Sequence, residues 1–452
     1  LQLPDDYQHR EAQLQLCTHR LGLGYLEDLR HSRATYCSEQ SKSQLTCFHS
    51  QADMGGRIDS FCIGQGARLD ATGISFQTSC HLLDEPWGIE TNESSVPLAL
   101  FPKYWYETGP HNLIDKFVNL AAEDLELPSH KESEKFTVLL KREGAVNPWH
   151  SLMEIMSLAM TFDVLRTSPN TSRGNKRAFI TSDDADNTQV VVLDDEVDGP
   201  YFDLWRLFAK KPTIRLSELP ASTDVDNIII PLPGASNPVW QGDWEPNSCE
   251  NSELLRVFSK RVLRHLNISD SRKSSGNENK DNKIIVTFID RRGTRKLLDQ
   301  DKHIAALNNR YAHAEIRLVD LAIMTLAEQI QTVRDSDVLA GVHGSGLTHG
   351  MWLKEHSVLV EILPEGFLHK GFRNLAGAMG LGYFSTHGHL PPGVESQSQS
   401  GDDSTQGEQE SEGPQQWQIG DVALEDDRFL KLMDVAIKSI YNRGPYNFDV
   451  IK

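Results

Sequence analysis

Three stretches of the chain carry residue types whose spacing could do chemistry. In VHGSGLTHG (342–350), His343-Gly344-Ser345-Gly346 interrupts an apolar run and is followed by Leu347 and Thr348 at a helix start. Glycines there let the backbone approach a ligand, and a helix N-terminus aims N–H groups and a positive dipole end at an anion, most commonly a phosphate. A tight turn needing small residues for packing would give the same pattern. In DRRGTRK (290–296), Arg291, Arg292 and Arg295 directly follow the apolar run IIVTFID. Guanidinium forks match phosphate geometry and stay charged at physiological pH. In GAVNPWHSLMEI (144–155), Asn147 precedes a helix that carries His150 and Glu154 four residues apart, on one face. A histidine or carboxylate placed there could accept a proton from a hydroxyl. The alternative is a helix cap followed by a satisfied core histidine, and His-x-x-x-Glu lacks the further ligands of a metal site.

The elements that must position these groups alternate strand and helix. KFTVLLK (135–141), QVVVLD (189–194) and DNIIIP (226–231) read as strands, 149–166 as a long amphipathic helix, and 201–211 as another helix. After a helix at 252–266 and a polar loop at 269–282, the alternation resumes. Strands begin at 284, 314, 338 and 358, with helices at 301–311, 325–336 and after the glycine loop. Such alternation predicts α/β architecture with parallel sheets covered on both faces and ligands beyond the carboxyl ends of the strands. The expected divisions are a cysteine-bearing N-terminal region (1–95), a first Rossmann-like domain (96–250) and a second one (251–390) with a nucleotide crevice beyond its strand ends. A disordered low-complexity insert (391–416) and a C-terminal helix and tail (417–452) complete the chain.

The 64 acidic and 45 basic residues give a net charge of −19. That balance argues against nucleic acid as a partner and against anionic membrane surfaces, and no run is long and apolar enough to span a bilayer. Two acidic clusters, SDDAD (182–186) and LDDEVD (193–198), have the look of divalent-cation sites, but charge runs of this kind are ordinarily solvated loops. Five of the six cysteines lie within the first eighty residues without a CxxC pair. This favours disulfides over zinc, and so an oxidising compartment, with connectivity left open. The sequons at Asn92, Asn170 and Asn267 point to the same secretory setting as glycosylation sites.

Taken together, VNPWHSLME, RRGTRKLLD and VHGSGLTHGMWL with the following LVEILP resemble the motifs of glycosyltransferase family 61, in the family's order. The likeness leans towards members that place N-acetylglucosamine on Ser or Thr of EGF-like domains in the endoplasmic reticulum. It falls on Asn147, Trp149, His150, Glu154, Arg291, Arg295, His343 to Thr348, and Glu361; it is dense over 250–364, sparser over 135–215 and faint before that. The resemblance implies an inverting transferase of GT-B-like form: two doubly wound Rossmann-like domains with a ligand cleft between them. It also implies UDP-GlcNAc or a related UDP-sugar as co-substrate, secreted or membrane proteins as acceptors, and no metal cofactor. On this reading Arg291, Arg295, His343, Gly344, Ser345, Gly346, Leu347, Thr348 and Glu361 bind the donor. His150, Glu154 and Asn147 are catalytic, with His150 as base and Glu154 orienting it, or the reverse. Where relatives carry an acidic pair, this chain has Lys210 and Lys211, which weakens any case for a metal. The terminal NFDVIK is not a retention tetrapeptide, so residence in the lumen is not read from it. A xylosyltransferase acting on a glycan, and an inactive sugar-nucleotide- or glycan-binding protein of the same fold, are the alternatives.

Overall fold

A computed structural model describes residues 4–7, 15–50, 57–70, 72–122, 134–170, 177–268, 283–391 and 419–441. The polar loop at 269–282 and nearly all of the low-complexity insert lie outside these residues. The chain is mixed α/β and forms two compact units, one of residues 1–242 and 252–265, the other of 243–251 and 266–452.

In the first unit, helices α1 (Gln15–Leu21) and α2 (Leu23–His31) precede strands β1 (Ala34–Cys37), β2 (Gln44–Ser50) and β3 (Asp59–Gln65). Short strands β4 (Arg68–Leu69), β5 (Phe76–Gln77) and β7 (Val118–Asn119) make a small separate sheet; β6 (Leu82–Gly88) and α3 (Gly109–Phe117) lie between them in sequence. Then come β8 (Phe136–Leu140), α4 (Pro148–Thr167), β9 (Thr188–Val192), β10 (Ile214–Arg215), β11 (Asn227–Ile230) and α5 (Glu253–His265). The main sheet has the order β10-β9-β8-β11-β3-β2-β1-β6. Its first four strands are parallel, and from β3 onward every neighbour is antiparallel. The cysteine-bearing strands thus extend the same sheet; β1, β2 and β3 follow one another by short connections, which suit antiparallel pairing. Disulfides Cys47–Cys62, directly across β2 and β3, and Cys37–Cys80 tie that half together.

Two sequence expectations change here. Helix α4 is not amphipathic: 17 of its 20 residues are buried, as expected of a helix covered all round, and α2, α5 and the 234–236 turn pack against it. The helix expected over 201–211 is a short 3-10 turn, Phe202–Leu207.

The second unit follows the sequence pattern more closely. It runs β12 (Ile284–Ile289), α6 (Gln300–Arg310), β13 (Ala314–Val319), α7 (Leu326–Arg334), β14 (Val338–Val342), a 3-10 helix (Ser345–Trp352), β15 (Val358–Leu363), α8 (Gly371–Met379), β16 (Gly382–His387) and α9 (Asp426–Tyr441). All five strands are parallel, in the order β13-β12-β14-β15-β16. On one face, Val286, Phe288, Ala340, Val360 and Ile362 pack with Leu307 of α6 and with Phe429, Met433 and Ile437 of α9. The 3-10 helix packs between α7 and α8, and α8 and α9 both touch β15.

Candidate active site

Strand order decides where each unit can hold a ligand. In the second unit the order is 2-1-3-4-5 counted along the chain, so neighbouring connections diverge between its first and third strands, β12 and β14. Open α/β sheets bind ligands at that divergence, beyond the carboxyl ends of the strands. The loop after β12 carries Arg291 and Arg295, and the loop after β14 carries His343 to Gly346. The two stretches separated in sequence are therefore brought together. A Cβ on Gly344 would stand 2.0 Å from Arg291 Nη1, so only glycine lets the guanidinium lie against this loop.

Arg291 donates through Nε to the Thr294 carbonyl at 3.0 Å. Arg295 takes a left-handed backbone (φ 56°), and its buried Nε has no hydrogen-bond partner among the described residues. Among the described residues neither arginine meets a carboxylate, whereas exposed Arg292 pairs with Asp290 at 2.8 Å and Asp320 at 3.6 Å. Burial pulls both guanidinium pKa values down, Arg295 to about 10 with Arg291 adding to the effect. Partly buried cations without counter-ions are costly, and an anion placed between them would remove that cost.

His343 is buried, and its Nδ1 lies 2.5 Å from Glu361 Oε1; the other carboxylate oxygen accepts from Tyr383 Oη at 2.5 Å. Burial lowers the imidazole pKa against the upward pull of Glu361. With Nδ1–H donated to Glu361, the lone pair falls on Nε2. His369 stands 5.1 Å from His343, ring to ring, and its Nε2 meets Asp243 at 3.0 Å, while Phe367 and Phe372 flank His343. Leu347 and Thr348 are wholly buried, so they pack the 3-10 helix rather than face a ligand, and Glu361, equally buried, meets His343. Ser345 and Gly346 are half-buried. The helix expected near Leu347 is 3-10 in form and capped by Gly344 in an extended conformation.

In the first unit, β10, β9, β8 and β11 give the order 3-2-1-4 counted along the parallel strands, and connections diverge between β8 and β11. After β8 comes the loop to α4, whose first turn holds His150; after β11 comes the Pro231–Ser236 turn. Asn147 is the N-cap of α4, its Oδ1 accepting from Trp149 N–H at 3.0 Å, which is a structural role. His150 is half-buried, packed against Trp240 at 4.4 Å and Tyr106 at 5.5 Å between ring centroids. Its Nδ1 turns to the Glu143 carbonyl at 2.5 Å rather than to the Glu154 carboxylate. Glu154 is buried and accepts the Glu143 N–H at 2.6 Å. The expected direct support of His150 by Glu154 is thus replaced by a link through the Glu143 peptide group. Helical spacing put the two side chains on one face but could not show that a neighbouring backbone lies between them.

The acidic clusters are engaged elsewhere. Arg142 binds Asp194 at 2.7 Å and Asp198 at 2.8 Å, and Arg215 binds Asp198 at 2.8 Å. Asp184 completes a capping box with Thr181, and Lys210 pairs with Asp186 at 2.6 Å. Among the described residues no group of three or more His, Cys, Asp or Glu side chains could hold a metal. Of the sequons, Asn92 and Asn267 are exposed, whereas Asn170 is 1% exposed and its N–H bonds the Arg177 carbonyl, a placement at odds with a glycosylated side chain. Among the described residues no helix is long and apolar enough to cross a membrane.

Sequence reasoning missed Glu143, Tyr383, His369 and Asp243. Glu143 and His369 each follow the carboxyl end of a parallel strand, and that position was the available signal; Tyr383 and Asp243 carried none.

Residues 149–360 match the family model described as Glycosyltransferase 61. The match takes in His150, Glu154, both arginines and the glycine loop, and stops one residue short of Glu361. The likeness read from the motifs is therefore to this family. Among curated proteins, the chain is similar to the EGF domain-specific O-linked N-acetylglucosamine transferases of Drosophila melanogaster, Mus musculus and Gallus gallus. The fly protein is 26% identical over 240 residues, 50% of this chain and 40% of its own length. The mouse protein is 26% identical over 51% of this chain and 41% of its own, and the chicken protein 27% over 51% and 40%. The match thus spans about two fifths of the length of these relatives.

Proposed function

We propose that this chain is a glycosyltransferase of family 61 that inverts configuration while moving a sugar from a UDP-sugar to Ser or Thr hydroxyls of secretory-pathway proteins. N-acetylglucosamine is the favoured sugar and EGF-like domains the favoured acceptors, by analogy with what the relatives' names say of them. The observation that carries the reading is the pair of arginines, without carboxylate partners among the described residues, beside the glycine loop at the topological divergence of a parallel sheet. A nucleoside diphosphate is the ligand this chemistry suits. As the glycosidic bond breaks, charge grows on the leaving diphosphate, and positioned guanidinium groups stabilise it more than they stabilise the substrate. His150, with its lone pair on Nε2, takes the acceptor hydroxyl proton as the oxygen attacks the anomeric carbon. His343, held by Glu361 and Tyr383, orients the donor.

The reading includes a GT-B-like arrangement and catalysis without a metal cofactor, since the arginines supply the charge that a cation otherwise would. Disulfides and the relatives' EGF-domain substrates favour the secretory lumen, with the endoplasmic reticulum the specific proposal. The test is transfer from a panel of UDP-sugars to folded EGF-like domains, followed by mass spectrometry of the acceptor. Addition of N-acetylhexosamine is the expected result. Addition of pentose to a glycan acceptor alone would establish the xylosyltransferase alternative, and UDP binding without transfer to any acceptor would establish a binding protein.

A further inference from the structure

Beneath His150 lie two buried carboxyl groups, of which only Glu154 stands in a recognised motif. Glu143, 0% exposed, follows β8 at the divergence of the first unit's parallel strands. Its Oε1 accepts from Thr108 Oγ1 at 2.5 Å and its Oε2 from Ala235 N–H at 2.7 Å. Glu154 Oε1 accepts the Glu143 N–H at 2.6 Å, while its buried Oε2 has no hydrogen-bond partner among the described residues. Gly234 lies between them: a Cβ there would come within 2.6 Å of Glu154 Cγ and 2.8 Å of Glu143 Oε2. The glycine lets the two carboxyl groups converge.

The charged neighbours do not neutralise this pair. Lys141 donates to the Tyr106 carbonyl and lies 3.4 Å from Glu107. Arg142 is bound to Asp194 and Asp198, and Glu196 accepts from Ala145 N–H at 3.0 Å. Tyr106 and His150 are the remaining titratable groups facing the pair. Two adjacent buried carboxylates without a cation cannot both stay ionised at modest cost, and an unpartnered carboxyl oxygen is where a shared proton would reside.

We propose that Glu143 and Glu154 hold one proton between them and, through the Glu143 peptide group, fix His150 as the Nδ1–H tautomer with its lone pair on Nε2. When Nε2 takes a proton, the single negative charge left on the pair stabilises the imidazolium, and no other proton need move. Glu143 is then a positioning residue for proton transfer. The catalytic half of this inference rests on the base role given to His150; the shared proton does not.

Two measurements on the full chain test it. The first is urea unfolding between pH 5 and 9. Burial pushes the Glu143 carboxyl up to about 7 from 4.5, and burial with the Glu143 charge raises Glu154 as well. The folded state therefore binds more protons than the unfolded state above about 4.5, so stability falls as pH rises through that window, and the fall continues above 7 while the pair keeps its second proton. For the Glu143 shift alone the folding constant should drop by roughly 80-fold between about pH 5 and 9, and Glu143→Gln with Glu154→Gln should abolish that drop. The second is 15N NMR of labelled histidines, in which His150 should appear as the Nδ1–H tautomer at pH 8. In the double variant its acid constant should rise by about tenfold as the neighbouring charge is lost. A flat wild-type stability profile, or an Nε2–H tautomer, overturns the inference, and both readings come from the wild type even where a variant does not fold. If both hold while His150→Ala still transfers sugar at the wild-type rate, the base role fails and the shared proton stands.

Discussion

Arg295 illustrates what a single side chain contributes. Its guanidinium is half-buried beside Arg291, with an Nε that has no partner among the described residues, so a desolvated charge stands there before any ligand arrives. Arg295→Ala should lower turnover by about a hundredfold, the typical effect of losing one positioned donor to developing negative charge. Arg295→Lys should recover little of it, because an ammonium lacks the planar fork. Steady-state kinetics with the preferred UDP-sugar decide this, and near-normal turnover in the alanine variant would count against the donor site. His150→Ala should abolish transfer while leaving UDP affinity unchanged. Glu154→Gln should keep part of the activity, because an amide oxygen can still accept the Glu143 N–H. Loss of UDP binding in His150→Ala would move that residue into the donor site. At this scale the sequence was informative where position implied exposure to a crevice, as for Arg291 after β12. It marked Glu143 by position alone, because KREGAV has no periodicity that shows a buried carboxyl group; that burial involves Thr108 and Gly234, distant in the chain.

Among elements, the strands of the second unit were the most legible. IIVTFI, VLAGV and VLVEIL are continuous apolar runs, as parallel strands covered on both faces must be. Glu361 is the exception within the last run, and its burial against His343 explains why a carboxylate stands there. The edge strand GYFSTH is half-exposed and mixed in polarity, which is why no strand was expected at β16. The antiparallel half of the first sheet was equally hidden, since β3 with β11 and β1 with β6 pair across long stretches of sequence. The Cys47–Cys62 disulfide across β2 and β3 closes a 15-residue separation. Replacing both cysteines with serine should cost about 3 kcal/mol in the unfolded-chain entropy account. Urea unfolding under non-reducing conditions measures it, and an unchanged midpoint would mean the hairpin is held by its packing alone.

For the whole molecule, a net charge of −19 coexists with a small positive centre in the second unit, so affinity for an anionic ligand must come from local groups. On the proposed reading the arginines stabilise the leaving group without an aspartate pair, so transfer should survive excess EDTA. Activity lost to EDTA and restored by manganese would return LDDEVD to consideration despite its engagement with Arg142 and Arg215. The most direct measurement is calorimetric titration of UDP into the wild type and into a variant carrying Arg291→Ala and Arg295→Ala, with circular dichroism to confirm that both are folded. The account predicts saturable, one-site binding to the wild type and at least a hundredfold weaker binding to the double variant, as losing two charge-assisted contacts implies. Equal affinity in the two proteins, or no UDP binding by the wild type, would contradict it.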